Sequence, residues 1–147
     1  MSLALKAGSA YFAIVFCAGF LLGTMRVLAL VPHVGEVIAV AIELPVMLIV
    51  SWIVCAWLIA RLSVPRDAAS RLAMGGLAFG LLMAAEIGVS ILGFGRTMAE
   101  HMETYRHATA LLGLLGQLAF ALFPLVQLRA GSGRAGGGSV PSRGREP

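Results

Sequence analysis

The chain has 147 residues, 59% of them hydrophobic and 12% charged, with a formal net charge of +4 and a mean hydropathy of +0.93. A soluble domain carries about half apolar and about a quarter charged residues. The composition therefore excludes an ordinary soluble domain, a disordered chain, a coiled coil and a disulfide-stapled secreted scaffold, and points to an integral membrane protein.

A helix that crosses the hydrocarbon needs about 20 mostly apolar residues. Four such runs are predicted, over 11–31, 37–60, 72–94 and 108–128. Each is apolar around its whole circumference, which excludes the alternating strands of a barrel. The expected fold is all-α: an antiparallel, up-down four-helix bundle spanning 1–129, followed by a flexible tail.

The first run is about twice as long as the apolar core of a signal peptide and is followed by no small-x-small cleavage site, so it reads as a retained helix. Gly19, Gly23 and Arg26 are four and three residues apart and share a face. Pro32-His33-Val34-Gly35 reads as the turn into the second span. There Glu43-Leu44-Pro45 is the most specific local feature, because Pro45 has no N–H and its ring crowds the Ala41 carbonyl, predicting a kink beside a carboxylate. Ser63-Val64-Pro65-Arg66-Asp67 joins the second span to the third. On the third, Gly76, Gly80 and Ala84 form a small-residue ridge, while Glu86 shares a stripe with Met83, Ser90 and Gly93. Gly19-x-x-x-Gly23 and Gly76-x-x-x-Gly80 suit close helix approach, either inside the bundle or between copies.

A longer polar stretch, 95–107, leads to the fourth span, where Gln117 faces inward with Gly113 and Ala110 on the same face. In that stretch Glu103 and His107 are spaced i, i+4, and with His101 they are the nearest approach to a metal-ligand set. No HExxH or paired CxxC accompanies them, so no metal is expected. Cys17 and Cys55 read as reduced thiols. From Ala130 to Pro147 the chain is rich in Gly and Ser and is expected to be disordered.

Lys6, Arg61, Arg66, Arg71 and Arg129 fall on one side of the predicted spans, with Arg134, Arg143 and Arg145 in the tail; the other side has Arg96 and Arg106. The positive-inside rule then places both termini in the cytoplasm. The basic balance reflects this topology and anionic lipid; no interleaved basic and aromatic surface suggests nucleic acid.

Three ionisable residues are left inside the spans. Arg26 lies about 7 Å, Glu43 about 10 Å and Glu86 about 14 Å from the outer ends of their helices. A charge near mid-membrane costs about 2.5–3.5 kcal/mol on insertion scales, so such groups pair, face water or carry function. The expectation is one buried cluster of Arg26, Glu43, Glu86 and Gln117. Its blander reading is a register-fixing ion pair, with Gln117 as interhelical glue.

The pattern Gly23-Thr24-x-Arg26-Val27-Leu28, Pro32, Gly35-Glu36, Glu43-Leu44-Pro45, Gly95-Arg96 and Gly113-x-x-Gly116-Gln117 resembles uncharacterised four-helix bacterial inner-membrane proteins. The resemblance spans 11–128 and implies a fold and a compartment, without an activity. Small multidrug transporters keep a carboxylate in their first helix, where this chain has Arg26. Four-helix glutathione-dependent membrane enzymes have an Arg- and Asn-bearing second helix, absent here.

No nucleophile sits beside a base, and no phosphate-cradling loop or cofactor motif is present. The leading expectation is a non-enzymatic membrane subunit that binds the lipid bilayer and another membrane protein or a second copy of itself. The alternative is a small proton- or cation-coupled transporter using Glu43 or Glu86, and the third is a membrane-embedded enzyme.

Overall fold

The computed structural model describes residues 2–93, 95, 97–104 and 106–132. The protein is all-α, about 91% helical. Four helical stretches are long and apolar enough to cross a membrane: Ser2–Val34, Glu36–Arg61, Ala68–Gly93 and Ala108–Ala130. They are built from α1 (Ser2–Met25), a π-helical segment (Arg26–Leu30), α2 (Val31–Val34), α3 (Glu36–Arg61), α4 (Ala68–Gly88), a second π-helical segment (Val89–Gly93) and α6 (Ala108–Ser132). A short α5 (Met98–Thr104) precedes α6.

The helix boundaries differ from the hydropathy windows where local or tertiary interactions add to apolarity. The first helix starts at Ser2 instead of Tyr11 because Ala4, Ala7, Gly8 and Tyr11 are buried in the core, while Lys6 stays exposed. The expected four-residue turn at Pro32–Gly35 shrinks to Gly35 alone. Pro32 falls in the first turn of α2, where a missing N–H is tolerated, and Gly35 reverses the chain with φ +80°, a conformation open to glycine. Asp67 caps α4 by accepting the Ser70 N–H at 2.8 Å, which holds its carboxyl below the usual carboxylate range. In the stretch expected to be a polar connection, Thr97 and Glu100 form a reciprocal capping box that starts α5: the Thr97 N–H donates to Glu100 Oε2 at 2.7 Å, and the Glu100 N–H to Thr97 Oγ1 at 3.3 Å. The last helix runs through Ser132, so 130–132 of the expected tail are helical; its remainder, 133–147, lies outside the described residues.

α1 packs against α3 and α4, and α6 packs against the same two helices. The core gathers Tyr11 and Val15 of α1, Cys55 and Leu58 of α3, Met74 and Ala78 of α4 and Phe120 of α6, with Val64 from the connection. It occupies the end of the molecule where α3 stops and α4 starts, hereafter the basic end because Lys6, Arg61 and Arg66 lie there. Large apolar side chains such as Phe20, Leu28, Ile53, Trp57, Leu92 and Leu115 project outward. Such a surface matches hydrocarbon, not water.

Close helix approach rests on different glycines from those expected on α4. A Cβ at Gly8 would lie 2.7 Å from the Met74 carbonyl oxygen, and one at Gly75 would collide with the Ala121 carbonyl. Gly76 and Gly80 are exposed, and added Cβ atoms there would meet nothing within 4 Å. The phase of α4 is set by burial of Arg71, Met74, Gly75 and Ala78, which turns the Gly76-x-x-x-Gly80 ridge outward. On α1, Gly19 and Gly23 face α3: their Cβ positions lie 3.2 Å from Met47 Cε and 3.8 Å from Glu43 Oε1.

A second proline inside a span, not among the sequence expectations, is structurally used. Pro124 inside α6 cannot donate to the Phe120 carbonyl four residues earlier, and the Tyr11 hydroxyl donates to that oxygen instead, at 3.1 Å. The Tyr11 and Phe120 rings stack with centroids 4.2 Å apart. Pro45 likewise sits inside a continuous helix, α3.

Candidate functional site: a polar cavity at one end of the helices

The end opposite the core is hollow. A cavity of about 790 Å³ is lined by all four spans. α1 and its π segment contribute Gly19, Gly23 and Arg26; α3 contributes Glu43, Leu44, Met47 and Ser51; α4 and its π segment contribute Leu82, Glu86 and Ser90; α6 contributes Gly113, Gly116, Gln117 and Phe120. The small residues on α1 and α6 leave the space, and a Cβ at Gly116 would run into the Leu44 side chain.

Two polar pairs face this cavity. Arg26 Nε lies 2.5 Å from Glu43 Oε2, and the two side chains retain 22% and 18% of their exposure. The Nε–H is not aligned with that oxygen, so the contact is an ion pair without an in-line hydrogen bond from Nε. Across the cavity, Gln117 Nε2 donates to Glu86 Oε1. The expected single cluster is thus divided: Arg26 compensates Glu43, while Glu86 is served by the Gln117 amide and not by an arginine. Ser90, 7% exposed, has no hydrogen-bond partner for its Oγ, and neither does Gln117 Oε1.

Two of the lining residues lie in the π-helical segments. Arg26 opens the first and Ser90 lies in the second, at the same end of the molecule. Widening a helix by one residue per turn shifts the phase of everything beyond it, and such insertions in α-helices concentrate at functional sites. In the first, the Thr24 hydroxyl donates to the Phe20 carbonyl at 2.7 Å just before the widening.

Other site expectations fall elsewhere. α5 ends at Thr104 and α6 begins at Ala108, so Glu103 and His107 do not share a helix, and the Glu103 carboxylate lies 3.9 Å from Arg106. The side chain of His101 lies outside the described residues, as do Phe94, Arg96 and Tyr105. Among the described residues no group of three His, Cys, Asp or Glu side chains is placed to hold a metal.

Neither the place of Ser51 in the cavity wall nor the burial of Arg71 is among the sequence expectations. Arg71 is expected as a charge at the end of a span, yet it is 4% exposed and donates through Nη2 to the Val64 carbonyl at 3.3 Å. Its three- and four-residue spacing to Met74, Gly75 and Ala78 was the available signal. No family model, curated protein or solved structure matches the chain.

Proposed function

We propose that the chain is a small multi-pass protein of the bacterial inner membrane, an antiparallel four-helix bundle with both ends cytoplasmic, whose outer-half cavity takes up a solute. In this reading Glu86 or Glu43 exchanges a proton or cation as the solute moves, and the protein acts as a small transporter. The observation that carries it is the cavity itself: Glu43, Glu86 and Arg26 line an open space of about 790 Å³, within the range of small-molecule sites. A purely structural subunit has reason to seal and pair such groups, because hydrocarbon penalises them. The solid core at the basic end and the hollow opposite end suit access from one face at a time. Lys6, Arg61, Arg66 and Arg129 at the basic end support its cytoplasmic placement.

Flux into liposomes loaded with a pH-sensitive dye tests this reading. The full chain is expected to carry pH-dependent solute flux that Glu86→Gln and Glu43→Gln abolish while helicity and elution in detergent stay unchanged. Variants that lose expression with the wild type carrying no flux overturn it. A second reading, a membrane subunit that binds a partner protein or a second copy, is favoured by the exposed ridge of Gly76, Gly80 and Ala84 and by the internal compensation of Arg26 and Glu43. It predicts a stoichiometric protein partner or a dimer in mild detergent and no flux.

A further inference from the structure

We infer that the cavity recognises a protonated primary amine carried on an apolar body, with its ammonium seated at Glu86, Gln117 and Ser90. The inference rests on the solute-binding reading above and names the substrate class. Charge is the first argument. The cavity holds one arginine against two glutamates, and the arginine is committed to Glu43 at 2.5 Å, which leaves the Glu86 carboxylate as the uncompensated charge. A cation complements it; a carboxylate or phosphate does not.

Hydrogen-bond capacity is the second argument and is independent of charge. Ser90 is more than nine-tenths buried and lines the cavity, yet its Oγ has no partner. The Gln117 carbonyl oxygen, fixed by the bond its amide donates to Glu86, is likewise buried and unpartnered. Buried polar atoms without partners are uncommon and costly, and these two belong to residues that line the same cavity as Glu86. Together with the free lone pairs of Glu86 they form a set of three acceptors. An ammonium group has three N–H donors and no acceptor, and so satisfies all of them at once. A quaternary ammonium has no donors and leaves Ser90 and Gln117 unpaired. The remaining wall, with Leu44, Met47, Leu82 and Phe120, suits an apolar body.

The amine of a small amphiphile and the headgroup amine of an aminophospholipid share this chemistry, and the test separates them. Full-length protein in nanodiscs of phosphatidylcholine and phosphatidylglycerol is titrated calorimetrically with 4-phenylbutylamine, 4-phenylbutanol and 4-phenylbutanoate. The ammonium is expected to bind most tightly. Glu86→Gln weakens it by about tenfold or more and Ser90→Ala by about threefold to tenfold, while affinity for the neutral alcohol is retained and reports an intact cavity. Repeating the titration in discs that also contain phosphatidylethanolamine assigns the source: weaker apparent amine affinity points to the lipid headgroup, and unchanged affinity to the small amphiphile. If the alcohol or the carboxylate binds as tightly as the amine, or Glu86→Gln leaves amine affinity unchanged, the amine assignment is overturned while the cavity reading stands. If none of the three probes binds, both fall.

Discussion

Arg26 and Glu43 lie on adjacent helices and are only partly screened by the cavity, so removing one leaves the other charged in a poorly solvated place. Arg26→Gln is expected to destabilise the folded protein in detergent by about 1–3 kcal/mol, less than for a fully buried pair because both side chains keep some exposure. Arg26→Gln with Glu43→Gln should recover most of that loss; thermal unfolding of the two single variants and the double variant measures the coupling, and additive effects would show that the pair is not energetically linked. The same logic applies at the opposite end. Tyr11→Phe strips the hydrogen bond from the Phe120 carbonyl, which Pro124 has already deprived of its helical partner, at an expected cost of about 1–2 kcal/mol. Stability equal to that of the wild type in the same unfolding measurement would mean another donor reaches that oxygen.

At the scale of elements, two neighbouring glycines on α4 separate packing from propensity. Gly75 touches the α6 backbone, where an added methyl has no room, so Gly75→Ala should cost about 1–3 kcal/mol by forcing α4 and α6 apart. Gly76 faces outward, so Gly76→Ala should be neutral or stabilise by about 0.5–1 kcal/mol through the smaller entropy cost of ordering alanine in a helix. Opposite signs in detergent unfolding are the expected result; a large loss at Gly76 would mean that its face is covered by a second chain. The ridge motif was visible in the sequence, but a Gly-x-x-x-Gly pattern states that two residues share a face without stating what that face meets. Its exposure was decided by Arg71 and Met74, whose inward placement turns the ridge outward.

For the whole molecule, the division into a packed end and a hollow end predicts an asymmetric pattern of access. Under the proposed topology, in a protein with Cys17 and Cys55 replaced by alanine, a cysteine at Ser63 should react with an impermeant maleimide only from the cytoplasmic side. Cysteines at His33 and Gly113 should react only from the outer side, the latter through the cavity. Labelling of Gly113→Cys from both sides would show that the core at Tyr11, Met74 and Phe120 does not close the basic end.

The number and approximate position of the helices long and apolar enough to cross a membrane were legible in the sequence, because the free energy of placing a helix in hydrocarbon is a sum over about 20 consecutive residues and needs no partner. So were the residues that do not belong there: Arg26, Glu43, Glu86 and Gln117 are conspicuous against apolar neighbours. Which of them meet was settled only by the tertiary structure. Pairing depends on the rotation of each helix about its axis, and one residue more or less per turn, as in the segments at Arg26–Leu30 and Val89–Gly93, moves a side chain by about 100°. Local hydropathy carries no record of that rotation. The separate pairing of Glu86 with Gln117 and the existence of a cavity therefore came from packing alone.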